Sequence, residues 1–196
     1  VEALYCMNPD CAAKKIKAFT LFVSRDAMNI DGLSEATLEK FIAKGFIHNF
    51  GDIFEIEKFR DEIVTMEGFG EKSYENLMNS IEKAEETTLA KVIYSLGIAN
   101  IGLSNAKVIC RYFDDDLDKI RSAKEEEISM IDGIGPVIAG SLTKYFAKPH
   151  VCLRCIVCNS KYTYPASVFE SQCYSCLTAA GNRNVRENFT DFCNTR

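Results

Sequence analysis

One short turn pattern recurs four times along the chain at nearly constant spacing. Its four occurrences are Ile-Asp-Gly-Leu-Ser at 30–34, Met-Glu-Gly-Phe-Gly at 66–70, Ala-Asn-Ile-Gly-Leu at 99–103 and Ile-Asp-Gly-Ile-Gly at 131–135. The reference positions 34, 70, 102 and 135 are 36, 32 and 33 residues apart. A constant period of this length indicates one supersecondary unit that is repeated along the chain.

Each turn is followed by a helical pattern. Ser34 stands where a helix N-cap belongs, and Pro136 follows Gly135 as a proline at the first helical position would. The pattern predicts an all-α fold of tandem helix–hairpin–helix repeats, with helices near 13–23, 34–44, 57–64, 71–86, 88–96, 103–113, 116–122, 124–130 and 136–146. Apolar or small residues lie four and seven positions beyond each reference position and predict the inner helix faces: Leu38, Phe41, Tyr74, Leu77, Ala106, Ile109, Ala139 and Leu142.

Such a hairpin is suited to hold a phosphate group. Backbone N–H groups at the start of the second helix, with the positive end of the helix dipole behind them, can bind a phosphate oxygen. These contacts carry no base information, so DNA binding of this kind depends on shape and salt. A single glycine-rich turn is more often an ordinary helix corner, but four in register favour DNA binding. The candidate contacts are Gly32, Leu33, Ser34, Gly68, Phe69, Gly70, Ile101, Gly102, Leu103, Gly133, Ile134 and Gly135.

The net charge of −5 is unusual for a DNA-binding chain. Residues 1–150 hold 18 basic and 25 acidic side chains, a net −7, and the remainder carries +2. The acidic clusters at 85–86, 114–116 and 125–127 are local, so we expect them to lie on a solvated face away from the hairpins. We expect weak, salt-sensitive binding helped by cationic side chains, of which Arg25 and Lys72 are the main candidates, with Lys14, Lys15, Lys17, Lys107 and Lys144.

Six of the nine cysteines follow an abrupt change of composition at 148–150. Two Cys-x2-Cys pairs, separated by fourteen residues, can converge tetrahedrally on one zinc ion: Cys155, Cys158, Cys173 and Cys176. Disulfides are the alternative, and a cytosolic compartment disfavours them. Cys152 has pair-like spacing with Cys155, so the zinc-ligand assignment could shift by one pair. His150 is a further candidate ligand, and Cys193 could be free. We predict a small zinc-ribbon-like module at 148–196.

The remaining cysteines and histidines give weaker signals. Cys6 and Cys11 form half of a four-cysteine zinc site, whose other ligands would precede Val1, come from another chain, or be missing. Cys110 lies in a helical pattern and is predicted to be core. His48 lies far from any acid–nucleophile arrangement, so no catalytic residue is predicted.

Several ordered motifs resemble one family, bacterial NAD-dependent DNA ligase. They cover about three quarters of the chain, from about residue 4 to 147, and match the C-terminal half of that enzyme: Cys6 to Cys11 with Asn8-Pro9, then 22–33, 68–73 and 96–102. The resemblance implies a four-cysteine zinc finger, of which Cys6 and Cys11 would be the second ligand pair. It also implies a domain of four helix–hairpin–helix motifs that grips the minor groove around a nick. Adenylation and OB domains, earlier in the family's chain, do the chemistry with NAD and Mg²⁺.

The chain departs from the family in two places. Neither Asp-Gly pair, at 31–32 and 132–133, follows the lysine of the Lys-x-Asp-Gly adenylation motif. The chain should therefore be inactive alone, as a fragment or a separate subunit of a ligase. The cysteine-rich tail stands where the family usually continues into a BRCT domain.

These observations predict three segments and one preferred function. The segments are 1–24, a partial zinc finger with a linker helix; 25–147, the DNA-binding domain; and 148–196, the zinc-ribbon-like module. The preferred function is binding of nicked duplex DNA for sealing in replication and repair, with the adenylation and OB domains as partners. The alternatives are a stand-alone structure-specific DNA-binding protein of repair and a zinc-ribbon interaction adaptor. The expected location is cytoplasmic and nucleoid-associated. The cytoplasmic part of this expectation rests on the lack of an apolar run long enough to span a membrane.

Overall fold

The computed structural model describes residues 11–147, which contain helices and turns but no strand. The all-α prediction is confirmed for this part of the chain. A 3-10 helix at Phe50–Phe59 lies between α2 and α3. The α-helices are α1 (Ala12–Val23), α2 (Glu35–Ala43), α3 (Arg60–Val64), α4 (Glu71–Ala84), α5 (Leu89–Ser95), α6 (Leu103–Tyr112), α7 (Leu117–Ser122), α8 (Glu125–Ser129) and α9 (Pro136–Phe146).

The helices pair into four helix–hairpin–helix units. Units 1 to 4 are α1 with α2, α3 with α4, α5 with α6, and α8 with α9, and the two helices of each unit pack on each other. The eight residues predicted to form the inner helix faces are all at least 95% buried. They belong to one continuous apolar core, which fixes the four hairpins relative to one another.

Helix α1 is part of this core. Phe19, Phe22 and Val23 are buried in it, and α1 packs on both α2 and α5. The sequence placed α1 with the predicted zinc finger in the segment 1–24. Its buried face shows that it is also the first helix of unit 1.

The 3-10 helix is the element that the sequence analysis did not predict. The expected helix at 57–64 is instead the end of this 3-10 helix followed by α3. Phe50, Ile53, Ile56 and Phe59 recur every third residue, the period of a 3-10 helix, and Ile53 and Ile56 are fully buried. A capping box between Asn49 and Asp52 begins the element. The aromatic ring of Phe50 stacks on Phe22 at 4.4 Å between centroids and so ties the element to α1.

Candidate nucleic-acid interface

The four hairpins share a residue of positive φ at the same position of the turn. In units 2, 3 and 4 the same turn bond closes the hairpin: Phe69 N–H donates to Met66 O at 2.9 Å, Ile101 to Ile98 at 3.1 Å and Ile134 to Ile131 at 2.9 Å. The third residue of each turn has positive φ, as a type II turn requires. Those residues, with the equivalent one of unit 1, are Gly32 (91°), Gly68 (82°), Asn100 (64°) and Gly133 (80°).

Asn100 is a hairpin residue that the sequence analysis missed. The predicted contacts of unit 3 were 101–103, one residue later than the equivalent positions of the other units. In the structure, residues 100–102 are the ones equivalent to the predicted contacts of the other units. Asn100 adopts the left-handed conformation, which asparagine tolerates better than most residues other than glycine. Counting two positions back from Gly102 would have identified it.

In units 2, 3 and 4 the N-cap residue of the second helix is a glycine. Its backbone conformation is one that any residue can adopt. Gly70, Gly102 and Gly135 are extended, with φ of −143°, −83° and −88°. A Cβ built on any of them would meet nothing within 4 Å. Neither backbone strain nor packing therefore requires glycine here. The missing side chains leave the first helical turn open to a close approach from outside.

Backbone amides at these openings have no side-chain cap. In units 2 and 3 the first helical bond runs from the fourth helical residue to the capping glycine: Tyr74 to Gly70 at 2.9 Å and Ala106 to Gly102 at 3.0 Å. The first three N–H groups of α4 and α6 therefore lack intrahelical acceptors, and no side chain caps either helix. The amides of units 2 and 3 are the best-prepared donors for an anion.

Units 1 and 4 offer fewer open amides. The Ser34 side chain accepts from Thr37 N–H at 3.2 Å in unit 1, which confirms Ser34 as an N-cap. Pro136 is the first residue of α9 and has no N–H, and Ile138 N–H already donates to Gly135 O at 3.1 Å. The four hairpins thus share a positive-φ turn residue but differ in the number of available donors.

The middle residue of each hairpin is mainly an anchor. Leu33, Ile101 and Ile134 are buried in the core, and Phe69 is half-buried and packs against it. Although they were predicted as DNA contacts, the three buried side chains face the protein, so these residues can offer only backbone groups. The glycines beside them form the exposed part of the turn.

Two of the three acidic clusters lie at the far end of a helix from the hairpin that precedes it. Residues 85–86 and 114–116 follow the C-terminal ends of α4 and α6, at least about 15 Å along each helix from its hairpin at 1.5 Å per residue. Asp116 caps α7 by accepting from Asp118 and Lys119 N–H. Residues 125–127 form the exposed start of α8. The candidate cations Arg25 and Lys72 are exposed, and Lys72 is the second residue of α4 beside the open amides of unit 2.

Of the six predicted zinc ligands, only Cys11 lies among the residues that the structure describes. Cys11 immediately precedes α1 as its N-cap residue. Cys6, Cys155, Cys158, Cys173 and Cys176 lie outside the described residues, as do Cys152, Cys193 and His150. Within residues 11–147 no group of three or more His, Cys, Asp or Glu is arranged to hold a metal ion.

Burial perturbs three titratable side chains. It raises the pKa of the Cys110 thiol to about 12, with a smaller contribution from Asp115, and this confirms Cys110 as core. Burial likewise raises the pKa of Tyr145 to about 12. Burial also raises the pKa of Tyr74, which is 5% exposed and whose hydroxyl has no hydrogen-bond partner. None of the three arrangements resembles a general acid or nucleophile.

The sequence has clear relatives among known proteins. Residues 91–153 match the family model described as a helix-hairpin-helix motif. The chain is 61% identical over 149 residues to a DNA ligase of Lachnoclostridium phytofermentans, covering 76% of this chain and 23% of the relative. It is 56% identical over 147 residues to a DNA ligase of Ruminiclostridium cellulolyticum and 43% identical over 147 residues to one of Brevibacillus brevis. Each of these two matches covers 75% of this chain and 22% of the relative.

These comparisons confirm the predicted resemblance to the C-terminal half of bacterial DNA ligase. The helix-hairpin-helix family model begins within α5 and therefore falls on units 3 and 4. The chain spans under a quarter of the length of the ligases it matches. No helix among the described residues is both long and apolar enough to cross a lipid bilayer.

Proposed function

We propose that this chain, a relative of bacterial DNA ligases with four helix–hairpin–helix units, is the part of an NAD-dependent ligase that grips nicked duplex DNA. The observation that carries the proposal is the glycine at the N-cap of α4, α6 and α9. These three glycines have ordinary φ values and open space around the missing Cβ. The space left by each missing side chain lets a ligand approach the backbone, and the open amides behind Gly70 and Gly102 suit phosphate oxygens.

Several such sites on one rigid core suit a duplex. A single hairpin binds one phosphate weakly, whereas sites held at fixed distances by a shared core bind several phosphates of a regular double helix together. The contacts read the backbone and carry no base information. Binding should therefore be independent of sequence and should weaken steeply with salt.

The chemistry belongs to partner domains in this proposal. Nick sealing would need the adenylation and OB domains, in the same polypeptide or as a separate subunit, with NAD and Mg²⁺ bound there. This chain would be inactive alone, because neither of its Asp-Gly pairs follows the adenylation lysine. Structural zinc, held by Cys6 and Cys11 with two further ligands and by the two cysteine pairs of the tail, is part of the proposal. The proposal also includes roles in replication and repair and a cytoplasmic, nucleoid-associated location.

A reconstituted nick-sealing reaction tests the proposal. The full 196-residue chain is mixed with separately expressed adenylation and OB domains of a ligase, a nicked duplex, NAD and Mg²⁺. We expect sealing only when both components are present. Binding of the nicked duplex without any sealing would instead favour a stand-alone DNA-binding protein, and absence of binding even at low salt would eliminate both functions.

A further inference from the structure

Arg60 lies at the opening of the second hairpin, where the sequence analysis placed no arginine. It is the first residue of α3, and its Nη2 is 2.9 Å from both carboxylate oxygens of Glu71. Glu71 is the first residue of α4, directly after Gly70. The guanidinium is therefore held by the side chain of the first residue of α4, whose backbone amide is one of those open in unit 2.

Glu71 is an unfavourable neighbour for a phosphate. An acidic side chain in the first helical turn is stabilised by the helix dipole, but it repels an anion that approaches the same amides. Units 3 and 4 have Leu103 and Pro136 at the equivalent position and avoid this repulsion. In unit 2 the Arg60 charge offsets that of Glu71, and Asp61 lies as a second carboxylate 3.5 Å from the same guanidinium.

Arg60 also keeps donors for a second acceptor. A guanidinium has five N–H groups; Glu71 engages Nη2, and Asp61 lies 3.5 Å from Nη1. The Arg60 side chain is 50% exposed, and among the described residues its Nε–H has no hydrogen-bond acceptor. An arginine in this state can contact a phosphate without first leaving Glu71.

Tyr74 supports the guanidinium from the protein side. The Arg60 Cζ lies 5.8 Å from the centre of the Tyr74 ring, and that ring is buried one turn along α4. The Tyr74 hydroxyl has no hydrogen-bond partner despite its burial. The ring and Glu71 together limit the orientations of the Arg60 side chain and lower the entropy cost of using it as a ligand.

We propose that Arg60 is a direct phosphate ligand of the second hairpin and that Glu71 is its positioning residue. The inference rests on the proposed DNA binding and deepens it. It assigns to unit 2 a cationic side chain in addition to its open amides. Glu71 aligns Arg60 and at the same time weakens the site by repulsion.

A double-mutant cycle separates a direct contact from simple charge compensation. Binding of a fluorescent nicked duplex to the full chain is measured over a range of salt concentrations for the unaltered protein, Arg60→Met, Glu71→Gln and the double variant. We expect Arg60→Met to weaken binding about tenfold at low salt and to reduce the salt slope by about 0.9, the value for one phosphate contact. Glu71→Gln should strengthen binding, because it removes the negative charge while the glutamine amide oxygen can still accept a hydrogen bond from Arg60 and hold it in place.

The decisive comparison is Arg60→Met within the Glu71→Gln background. A direct ligand still contributes there, so affinity and salt slope should both fall again. No effect in that background would show that Arg60 only neutralises Glu71 and would overturn the inference. Arg111→Met is the matched control, because Arg111 is exposed in the last turn of α6, at the opposite end of that helix from the third hairpin, and should change binding little.

Failure of this inference can be distinguished from failure of the proposed function. If the unaltered chain binds the nicked duplex and Arg60→Met does not change that binding, only the role of Arg60 is wrong. If the unaltered chain does not bind, both are wrong. Circular dichroism and thermal unfolding of each variant establish that the affinities refer to folded protein.

Discussion

The backbone N–H of Asp31 donates a 2.7 Å hydrogen bond to the Ser80 hydroxyl oxygen, joining the first hairpin to the second helix of unit 2. The Lys40 ammonium in the second helix of unit 1 donates in turn to Glu67 O, in the second hairpin, at 3.2 Å. The second helix of each of units 1 and 2 is therefore hydrogen-bonded to the hairpin of the other unit. Units 3 and 4 have a similar link, because Asn100 Nδ2 donates to Ser141 Oγ at 3.2 Å. These bonds fix the spacing between neighbouring hairpins, which a duplex with regularly spaced phosphates requires.

Replacement of Gly135 by Val should weaken DNA binding without unfolding the protein. The position has ordinary φ and open space, so the variant should fold with little loss of stability. The added side chain would stand in the path of a phosphate, and we expect about a tenfold loss of affinity, equivalent to one charge-assisted hydrogen bond. Gly70→Val should behave in the same way. Fluorescence anisotropy with duplexes of different sequence should show the same loss for each.

Gly133→Val is the matched control for Gly135→Val, two residues away. Its φ of 80° is strained for a β-branched residue, so it should lower the free energy of unfolding by about 1–3 kcal/mol. Chemical denaturation measures this difference. Equal affinity of folded Gly135→Val and the unaltered chain would count against phosphate binding at the hairpin.

Replacement of Asn100 should affect stability through its left-handed backbone. Asn100→Ala loses the bond to Ser141 and places alanine at a φ of 64°, so we expect a loss of about 1–2 kcal/mol in the free energy of unfolding. Asn100→Gly loses the same bond but adopts this φ freely, and it should be clearly more stable than the alanine variant. An identical cost for both variants would assign the whole effect to the side-chain bond.

Tyr74→Phe should stabilise the protein. The hydroxyl is buried with no hydrogen-bond partner, which costs about 1–3 kcal/mol relative to an apolar group of the same shape. Thermal and urea unfolding should therefore show a gain in stability, reduced by any relaxation around the ring. A loss of stability would mean that the hydroxyl is satisfied in solution, for example by a bound water.

Cys110 should resist alkylation at pH 8 while the protein is folded. Burial raises its pKa from 9.0 to about 12, so almost no thiolate is present and the sulfur is inaccessible. Because the native pKa is higher than the unfolded one, the associated stability is complete below about pH 9 and is lost as the pH rises toward 12. Peptide mapping after iodoacetamide treatment should find Cys110 modified only in denaturant. Rapid modification of the native chain would contradict its place in the core.

Cys158→Ser or Cys173→Ser should release the zinc proposed for the tail while leaving the helical signal nearly intact. The described core is formed by residues 11–147 and includes only Cys110 among the cysteines. Metal content by mass spectrometry and far-ultraviolet circular dichroism measure the two effects separately. Lys161→Ala, a change in the same segment that removes no thiol, is the control. Full metal retention in both cysteine variants would overturn the ligand assignment.

Local sequence patterns were sufficient to predict the helices and the inner faces of the repeats. Residues such as Leu38 and Leu77 were found from helical spacing alone, because burial of one helix face is a periodic requirement. The 3-10 helix was missed because such helices rarely extend beyond a few residues, although its three-residue period is visible in retrospect. Asn100 was not predicted because the other three turns have glycine at this position, and asparagine can satisfy the same backbone requirement.

The sequence by itself determined the number of hairpins, their spacing along the chain and the resemblance to bacterial DNA ligase, because each depends on patterns local to one unit. Only the tertiary structure decided which hairpins keep open amides, which middle residues are anchors, and that Arg60 lies beside Glu71 at the second opening. Arg60 and Glu71 are eleven residues apart and belong to different helices, so no local pattern relates them. The turn between α3 and α4 brings them together, and the shared core determines how each hairpin faces its neighbours.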